Sequence, residues 1–252
     1  MRRKLLLGNW KMNKTVAEAT FFATEAKTLG KEAKKHKIDM GICVPFTALS
    51  AVKKILKKSL IVGAQNCHHL NSGAYTGEIS IPMLQELNID TCLVGHSERR
   101  EYNNETNETC NLKLKALLAA QMTPVYCCGE SLTVFEEGNT KTFVKEQIEK
   151  GFEGISAEDA IKVIVAYEPI WSIGTGKNAS KEIAEDVIAF IRKTLKNLYG
   201  TKISNKIRIL YGGSVKPNNI KEYLSQKNID GALVGGASLD ATSYKELLTN
   251  LI

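Results

Sequence analysis

The sequence predicts an α/β protein folded as a single (β/α)8 barrel over residues 1–252, with a parallel eight-stranded inner barrel and outer helices. Three observations lead to this fold. Eight short apolar runs recur along the chain, and amphipathic segments alternate with them. Division of the 252 residues among eight units leaves about 31 residues for each unit of one strand, one helix and their loops. A doubly wound open sheet shows the same alternation. The strand count favours the barrel, and no Pro/Gly/Ser-rich linker marks a second domain.

The eight apolar runs are rich in β-branched residues or leucine and are bounded by glycine or polar residues. Such runs are typical of strands that are buried on both faces in a parallel sheet. In chain order they are Lys4 to Gly8, Met40 to Val44, Leu60 to Ala64, Asp90 to Val94, Pro124 to Cys128, Val163 to Ala166, Arg208 to Tyr211 and Gly231 to Val234.

The segments between these runs have the spacing of amphipathic helices. The first begins with the capping box Thr15-x-x-Glu18. Its apolar stripe is predicted to contain Val16, Ala19, Ala23, Ala26 and Gly30. The later helices are predicted at Leu49 to Lys57, Ile81 to Leu87, Glu105 to Ala120, Lys141 to Phe152, Lys181 to Tyr199, Asn218 to Gln226 and Ser243 to Leu251.

The net charge of +7 is carried mostly by lysine, because only six of the 34 basic residues are arginine. Recognition of bases and phosphates favours arginine, so we expect no nucleic-acid partner. The lysines between Lys31 and Lys37 and between Lys53 and Lys58 are interpreted as solvated helix faces. No apolar run is long enough to span a membrane. The six cysteines have neither C-x-x-C nor zinc-site spacing, so we expect a cytoplasmic protein without a metal site.

In a parallel barrel, functional residues collect at the carboxyl ends of the strands. The groups that follow the predicted strands are Asn9-Trp10-Lys11, Gln65-Asn66, Gly95-His96-Ser97-Glu98-Arg99-Arg100, Glu168-Pro169, Gly212-Gly213-Ser214 and Gly235-Gly236-Ala237-Ser238. The first four groups contain residues that can move protons. The two Gly-Gly turns expose backbone N–H groups that suit a phosphate. Taken singly, His96 and Glu168 are also compatible with structural roles and each Gly-Gly pair with a tight turn; their convergence at one barrel mouth favours function.

The segment after Glu168 has the composition of a lid, with a stiff start, a large apolar middle and a glycine-rich end. It consists of Pro169, Ile170, Trp171, Ser172, Ile173, Gly174, Thr175, Gly176 and Lys177. The spacing Gly174-x-Gly176-x-x-Ala179 also matches a dinucleotide motif. The apolar residues that separate it from its strand, and the lack of an acidic residue at the expected later strand end, argue against that interpretation.

These motifs resemble, in the right order and over essentially the whole chain, those of the triosephosphate isomerase family. The motifs that carry the resemblance are Gly8-Asn9-Trp10-Lys11-Met12-Asn13, Gly95-His96-Ser97-Glu98-Arg99-Arg100, Tyr167 to Gly176, Tyr211-Gly212-Gly213-Ser214 and Leu233 to Ser238. The resemblance implies reversible isomerisation of dihydroxyacetone phosphate and D-glyceraldehyde 3-phosphate, in glycolysis and gluconeogenesis. It implies a small phosphorylated triose as the substrate and no metal or organic cofactor.

The resemblance also implies the roles of individual residues. Glu168 matches the catalytic base and His96 the electrophile, while Asn9 and Lys11 match the groups around the substrate oxygens. The residues that match phosphate ligands are Gly174, Ser214, Gly235 and Gly236. Glu98 looks like the carboxylate that supports Lys11, and Ser97 and Cys127 are expected to support the site.

A homodimer is implied as well, because Gly73 to Glu78 matches a family loop that enters a neighbouring subunit. The residues assigned to this dimer loop are Gln65, Tyr75, Thr76, Gly77 and Glu78, with Thr76 approaching Asn9 and Lys11 of a second copy. Three residues depart from common family choices, namely Tyr75, Ser172 and Cys128. A Schiff-base aldolase barrel is the alternative enzyme, but it needs a lysine at the end of a middle strand. Strands four to seven end instead in His96, Cys127, Glu168 and Tyr211.

Overall fold

Eight parallel strands close into a barrel in the computed structural model, which describes residues 2–172 and 179–252. The strands are β1 (Lys4–Asn9), β2 (Ile38–Val44), β3 (Ile61–Ala64), β4 (Thr91–Val94), β5 (Thr123–Cys128), β6 (Ile164–Tyr167), β7 (Arg208–Tyr211) and β8 (Gly231–Val234). Each strand pairs with the next in the chain, and β8 pairs with β1, so that Leu7 lies opposite Leu233. The predicted barrel is therefore confirmed, and the open sheet is excluded.

Helices surround this barrel. They are α1 (Val16–Ala26), α2 (Leu29–Lys35), α3 (Phe46–Leu56), α4 (Ile81–Glu86), α5 (Ser97–Asn103), α6 (Asn107–Ala119), α7 (Leu132–Glu136), α8 (Thr140–Gly151), α9 (Ala157–Ala160), α10 (Lys181–Ser204), α11 (Ile220–Leu224) and α12 (Ala241–Thr249), with 3-10 turns at Ile170–Ser172 and Gly236–Ser238. Among the described residues, no helix has both the length and the apolar character needed to cross a membrane.

Two layers of apolar side chains hold the barrel together, because successive residues of a strand point to opposite faces. Leu5 and Leu7 of β1 point into the barrel, whereas Leu6 packs under the helices. The same alternation places Cys127 inside and Cys128 outside, and both thiols are free. The interior cluster consists of Leu5, Leu7, Cys43, Leu93, Val125, Cys127, Ile164, Ala166, Leu210 and Leu233.

The prediction for the first helix was partly wrong. The capping box at Thr15 and Glu18 is present, but α1 ends at Ala26, and Gly30 belongs to the separate helix α2. Val16 is 45% exposed, and burial in α1 begins at Ala19. Phe22, which the predicted stripe did not include, is buried, with its ring in an edge contact with Trp10.

Four short helices were not predicted, namely α2, α5, α7 and α9. None exceeds seven residues, which is too short for an apolar period to be recognised. The prediction for α10 ended at Tyr199. The structure continues for one further turn to Ser204 after a kink at Gly200, where φ is 78° and ψ is 167°.

Candidate active site

The polar residues predicted at the strand ends meet at the carboxyl end of the barrel. Asn9 is the last residue of β1, and His96 and Glu168 follow β4 and β6 within two residues. They share a cavity of about 370 Å³, which is lined by Asn9, Trp10, Lys11, Asn13, His96, Glu168, Gly212, Gly213, Ser214, Val215, Lys216, Leu233, Gly235, Gly236, Ala237 and Leu239. The residues that can transfer protons thus face the same space as the two Gly-Gly turns.

Glu168 is the most deeply buried acid of this cavity, with 2% of its surface exposed. Its Oε1 lies 3.2 Å from Nε2 of His96. Its Oε2 accepts a hydrogen bond from the backbone N–H of Ser97 at 3.1 Å. The carboxylate is therefore held by the imidazole and by the first residue of α5.

The orientation of His96 identifies the nitrogen that carries its proton. The backbone N–H of Glu98 donates to Nδ1 of His96 at 3.2 Å. Since an imidazole nitrogen that accepts a hydrogen bond carries no proton, this contact selects the neutral ring with its proton on Nε2. Nε2 is the nitrogen that faces Glu168 and the cavity, so His96 presents a neutral donor to a bound molecule.

Lys11 supplies a positive charge at the rim of the same cavity. Its Nζ lies 2.7 Å from Oε1 of Glu98. Its backbone has φ of 53°, an uncommon value for a residue with a Cβ. Two side chains hold this conformation: Oδ1 of Asn9 accepts the Lys11 N–H at 3.0 Å, and Nε2 of Gln65 donates to the Lys11 carbonyl at 2.9 Å.

The two Gly-Gly turns form the opposite wall, after β7 and β8. A Cβ placed on Gly236 would meet no atom within 4 Å, and one on Gly235 would meet only Cε of Lys11 at 3.8 Å. Gly212 is different, because a Cβ there would lie 2.9 Å from Cγ of Glu168. The wall beside Gly235 and Gly236 is thus open for a ligand, while Gly212 allows close packing against Glu168.

Comparison with known proteins agrees with this geometry. The family model described as Triosephosphate isomerase matches residues 4–251. The chain belongs to the triosephosphate isomerase family. It is 49% identical over 249 residues to the triosephosphate isomerase of Clostridium perfringens (strain SM101 / Type A), covering 98% of this chain and 99% of that protein. The protein of the same name from Alkaliphilus metalliredigens (strain QYMF) is 49% identical over 245 residues, covering 97% and 98%. The chain is accordingly an isomerase with the barrel of this family.

The start of the predicted isomerase lid lies beside a buried carboxylate that the sequence analysis missed. Pro169 is followed by the 3-10 turn Ile170–Ser172, whereas Ile173, Gly174, Thr175, Gly176 and Lys177 lie outside the described residues. Nε1 of Trp171 donates to Oε1 of Glu130 at 2.8 Å, and the Tyr167 hydroxyl donates to the same oxygen at 3.0 Å. Burial raises the pKa of Glu130. The sequence contained one indication of Glu130, because this acid follows the end of β5 by two residues.

Cys127 lies inside the barrel close to Glu168. Burial, with a smaller contribution from the negative charge of Glu168, raises the pKa of its thiol well above the usual value. A thiol reacts as the thiolate, so this environment keeps Cys127 neutral and unreactive. Cys127, which was predicted to support the site, therefore lies beneath it and fills space there.

The predicted dimer loop divides into a buried base and an exposed tip. Gln65 belongs to the base, because its amide reaches the carbonyls of Lys11 and Cys43. The tip is a turn closed by the Glu78 N–H, which donates to the Tyr75 carbonyl at 3.0 Å, with Gly77 at φ of 92°. Thr76 is exposed at this turn. The structure therefore separates Gln65, which holds Lys11, from the four residues at or near the tip.

Proposed function

We propose that this site isomerises dihydroxyacetone phosphate and D-glyceraldehyde 3-phosphate through an enediolate, with Glu168 as the general base. The observation that carries the assignment is the pairing of the Glu168 carboxylate with a neutral Nε2–H donor of His96 at 3.2 Å, in a cavity that also holds Lys11. Because the reaction moves one proton between neighbouring carbons, a single carboxylate that reaches both carbons can remove and return it.

The first step takes a proton from the hydroxyl-bearing carbon next to the substrate carbonyl. The C–H electron pair forms the carbon–carbon double bond, and the carbonyl electrons move to oxygen. Glu168 must exchange its hydrogen bond with Ser97 for contact with the substrate, since both compete for the same oxygen atoms. Return of the proton to the neighbouring carbon, with transfer of a hydroxyl proton between the two oxygens, gives the aldose.

Negative charge that develops on the substrate oxygens is stabilised by His96 and Lys11. Donors fixed in place before the reaction stabilise such charge without reorganisation. Members of this family use a glutamate as the base and a neutral histidine as the electrophile. Family membership therefore supports these two roles in addition to the geometry. Asn9 and Glu98 hold Lys11 through its N–H and its ammonium group.

The phosphate group is assigned to the open wall at Ser214, Gly235 and Gly236. Support comes from the empty space above Gly236 and from the position of the wall after β7 and β8, where barrels of this type bind phosphate. Gly174 and the lid residues through Lys177 complete this assignment by their resemblance to the family. A closed lid would exclude water and retain the enediolate until the proton returns.

A coupled assay of isomerisation with Glu168→Gln tests the assignment of the base. We expect kcat to fall at least about 100-fold, since a positioned base contributes at least that factor. Glu86→Gln is the matched control, because Glu86 is an exposed acid that lines a different cavity at the other end of the barrel. Retention of more than about one hundredth of wild-type turnover would contradict the role of Glu168.

We also propose that the protein is a homodimer in which Thr76 of one copy approaches Asn9 and Lys11 of the other. Met12 is 96% and Tyr102 72% exposed, and both line a cavity of about 590 Å³ that also contains Asn9 and Lys11. Large apolar side chains around a cavity are typical of a surface that a partner covers. Sedimentation at micromolar concentration tests the proposal. A monomer with full activity would contradict it.

The remaining assignments are that residues 1–252 form one catalytic domain in the cytoplasm and that the reaction uses no cofactor. One barrel from Lys4 to Val234 supports the single domain, and six free, buried cysteines support a reducing compartment. The aldolase alternative lacks its lysine in the part of the chain that the structure describes. The buried lysine there is Lys113, which lies on α6 and is ion-paired with Glu105.

A further inference from the structure

Three aromatic rings stack along the base and one side of the protruding loop between β3 and α4. The ring centroid of His68 lies 4.6 Å from that of His69, with 24° between the planes. On its other side, the Tyr75 ring lies 4.3 Å from His68, at 31°. We call these three residues the His68–His69–Tyr75 stack. It connects the fixed base of the loop with the tip that carries Thr76.

The base of this stack is held by the returning end of the loop, just before α4. The His68 N–H donates to the Ile79 carbonyl at 2.8 Å, and His68 forms an isolated parallel bridge with Ser80. At the other end, the Tyr75 ring lies across Gly73, where a Cβ would come within 2.6 Å of the ring. Tyr75 is also the first residue of the turn that presents Thr76. The orientation of the turn therefore depends on the position of the Tyr75 ring on His68.

The central ring of the stack, His68, is fixed by a hydrogen bond from the backbone. The backbone N–H of Leu70 donates to Nδ1 of His68 at 3.1 Å, so this nitrogen carries no proton. The charged group that faces His69 from a neighbouring element is Lys113 of α6, which is paired with Glu105. Together with burial, the positive charge of Lys113 disfavours a positive charge on His69 and so lowers its pKa.

We propose that the His68–His69–Tyr75 stack positions Thr76 for insertion beside the active site of a second copy, and that protonation of His69 in acid releases this positioning. The inference rests on the homodimer proposed above. It makes the stack a set of positioning residues for isomerisation, because the tip is expected to contact Asn9 and Lys11 of the other copy. The partner is a second copy of this chain.

The direction of the pH effect follows from the surroundings of His69. Burial, followed by the charges of His68 and Lys113, lowers the pKa of His69. The structured loop therefore favours the neutral ring. The positioning effect of neutral His69 is complete above the ordinary histidine pKa of about 6.5. It is lost as the pH falls through the lowered pKa of His69. Dimerisation should weaken with acid rather than with base.

The test measures the dimer dissociation constant by sedimentation at about pH 7.5 and about pH 5.5, the range in which histidine changes charge. We expect the dissociation constant of the wild type to rise at least about tenfold at the lower pH. The specific activity at nanomolar protein, divided by that at micromolar protein, should fall in parallel. This ratio cancels any titration of the active site itself, because the catalytic residues are the same at both concentrations.

The decisive variants are His69→Phe and His69→Tyr, which keep a ring in the stack but remove the titrating group. We expect both to dimerise equally at the two pH values. His36→Gln is the matched control, since His36 is an exposed histidine next to Glu32 on the outer surface, and it should behave like the wild type. The positioning role alone is overturned if acid weakens dimerisation of the two His69 variants as much as that of the wild type. It is also overturned if the wild type is a dimer whose dissociation constant does not change with pH. A wild type that is monomeric at both pH values overturns the dimer as well.

Discussion

The carboxylate of Asp230 is expected to be the most important single charge for the stability of the barrel. It lies directly before β8, where the barrel closes, and is 2% exposed. Nη2 of Arg192 contacts its Oδ2 at 2.7 Å, and the Ile209 N–H donates to the same oxygen at 2.9 Å. Nε of Arg2 contacts Oδ1 at 2.6 Å. One carboxylate therefore joins α10, β7 and the segment before β1.

Replacing Asp230 by alanine should lower the free energy of unfolding by about 3–5 kcal/mol. Breaking a buried ion pair by removing one partner typically costs this amount, because the other charge stays buried. Arg192 would stay buried, since it also donates to the carbonyls of Ser204 and Ile207 at 2.8 and 2.9 Å. Native proteins are stable by only about 5–15 kcal/mol, so the variant should lie close to the unfolding threshold.

The assay is urea unfolding followed by circular dichroism, at one protein concentration because dimerisation would contribute to stability. Asp39→Ala is the matched control. Asp39 also contacts two arginines, Arg3 and Arg208, each at 2.9 Å, but its side chain is 25% exposed against 4% for Asp230. We expect it to lose only about 0–1 kcal/mol. A loss for Asp230→Ala no larger than that for Asp39→Ala would refute the argument from burial.

Three further predictions concern the site and its surroundings. Gly212→Ala should lower kcat by about tenfold or more, because the new methyl group would displace Glu168, and Gly236→Ala should chiefly raise KM; steady-state kinetics would show both effects. Glu130→Gln should gain stability relative to the wild type as the pH rises above about 4.3. Burial raises the pKa of Glu130 in the folded protein. The stability contributed by Glu130 is therefore complete below the ordinary glutamate pKa and is lost as the pH rises through the raised pKa. Urea unfolding at several pH values measures the difference in stability between the variant and the wild type. All six cysteines are buried, so a thiol reagent should label them only after unfolding.

Much of the fold could be predicted because short apolar runs that alternate with amphipathic segments are a strong local signal. β7 and β8 have the predicted bounds, and every other strand differs by one or two residues at one end or, for β6, by one residue at each end. The short helices could not be predicted, because their formation depends on tertiary contacts. α5 is an example: its N-terminus is capped by the imidazole of His96, whose position is set by β4 and Glu168.

The site was predictable in its residues but not in its contacts. Position after a strand end was enough to predict that Asn9, His96 and Glu168 lie together in one cavity, because parallel strands bring their carboxyl ends together. The role of Gln65 depends on a contact with Lys11, which lies 54 residues earlier in the chain. Glu130 likewise acquires its significance from Trp171 and Tyr167, on a different strand and loop. No local pattern contains such pairs.

The two ends of the barrel separate the groups that stabilise the protein from those that we propose to react. At the amino ends of the strands, Asp230 and Asp39 hold arginines in ion pairs. At the carboxyl ends, Lys11 has an unfavourable φ of 53°, and Glu168 is a buried acid beside an imidazole. Strained or buried polar groups persist only where the surrounding structure holds them. Since distant substitutions have nearly additive effects, Asp230→Ala should change stability with little effect on kcat, and Glu168→Gln should do the reverse. The double variant should therefore have the stability of Asp230→Ala and the kcat of Glu168→Gln. A large deviation of either quantity would mean that the two ends are energetically coupled.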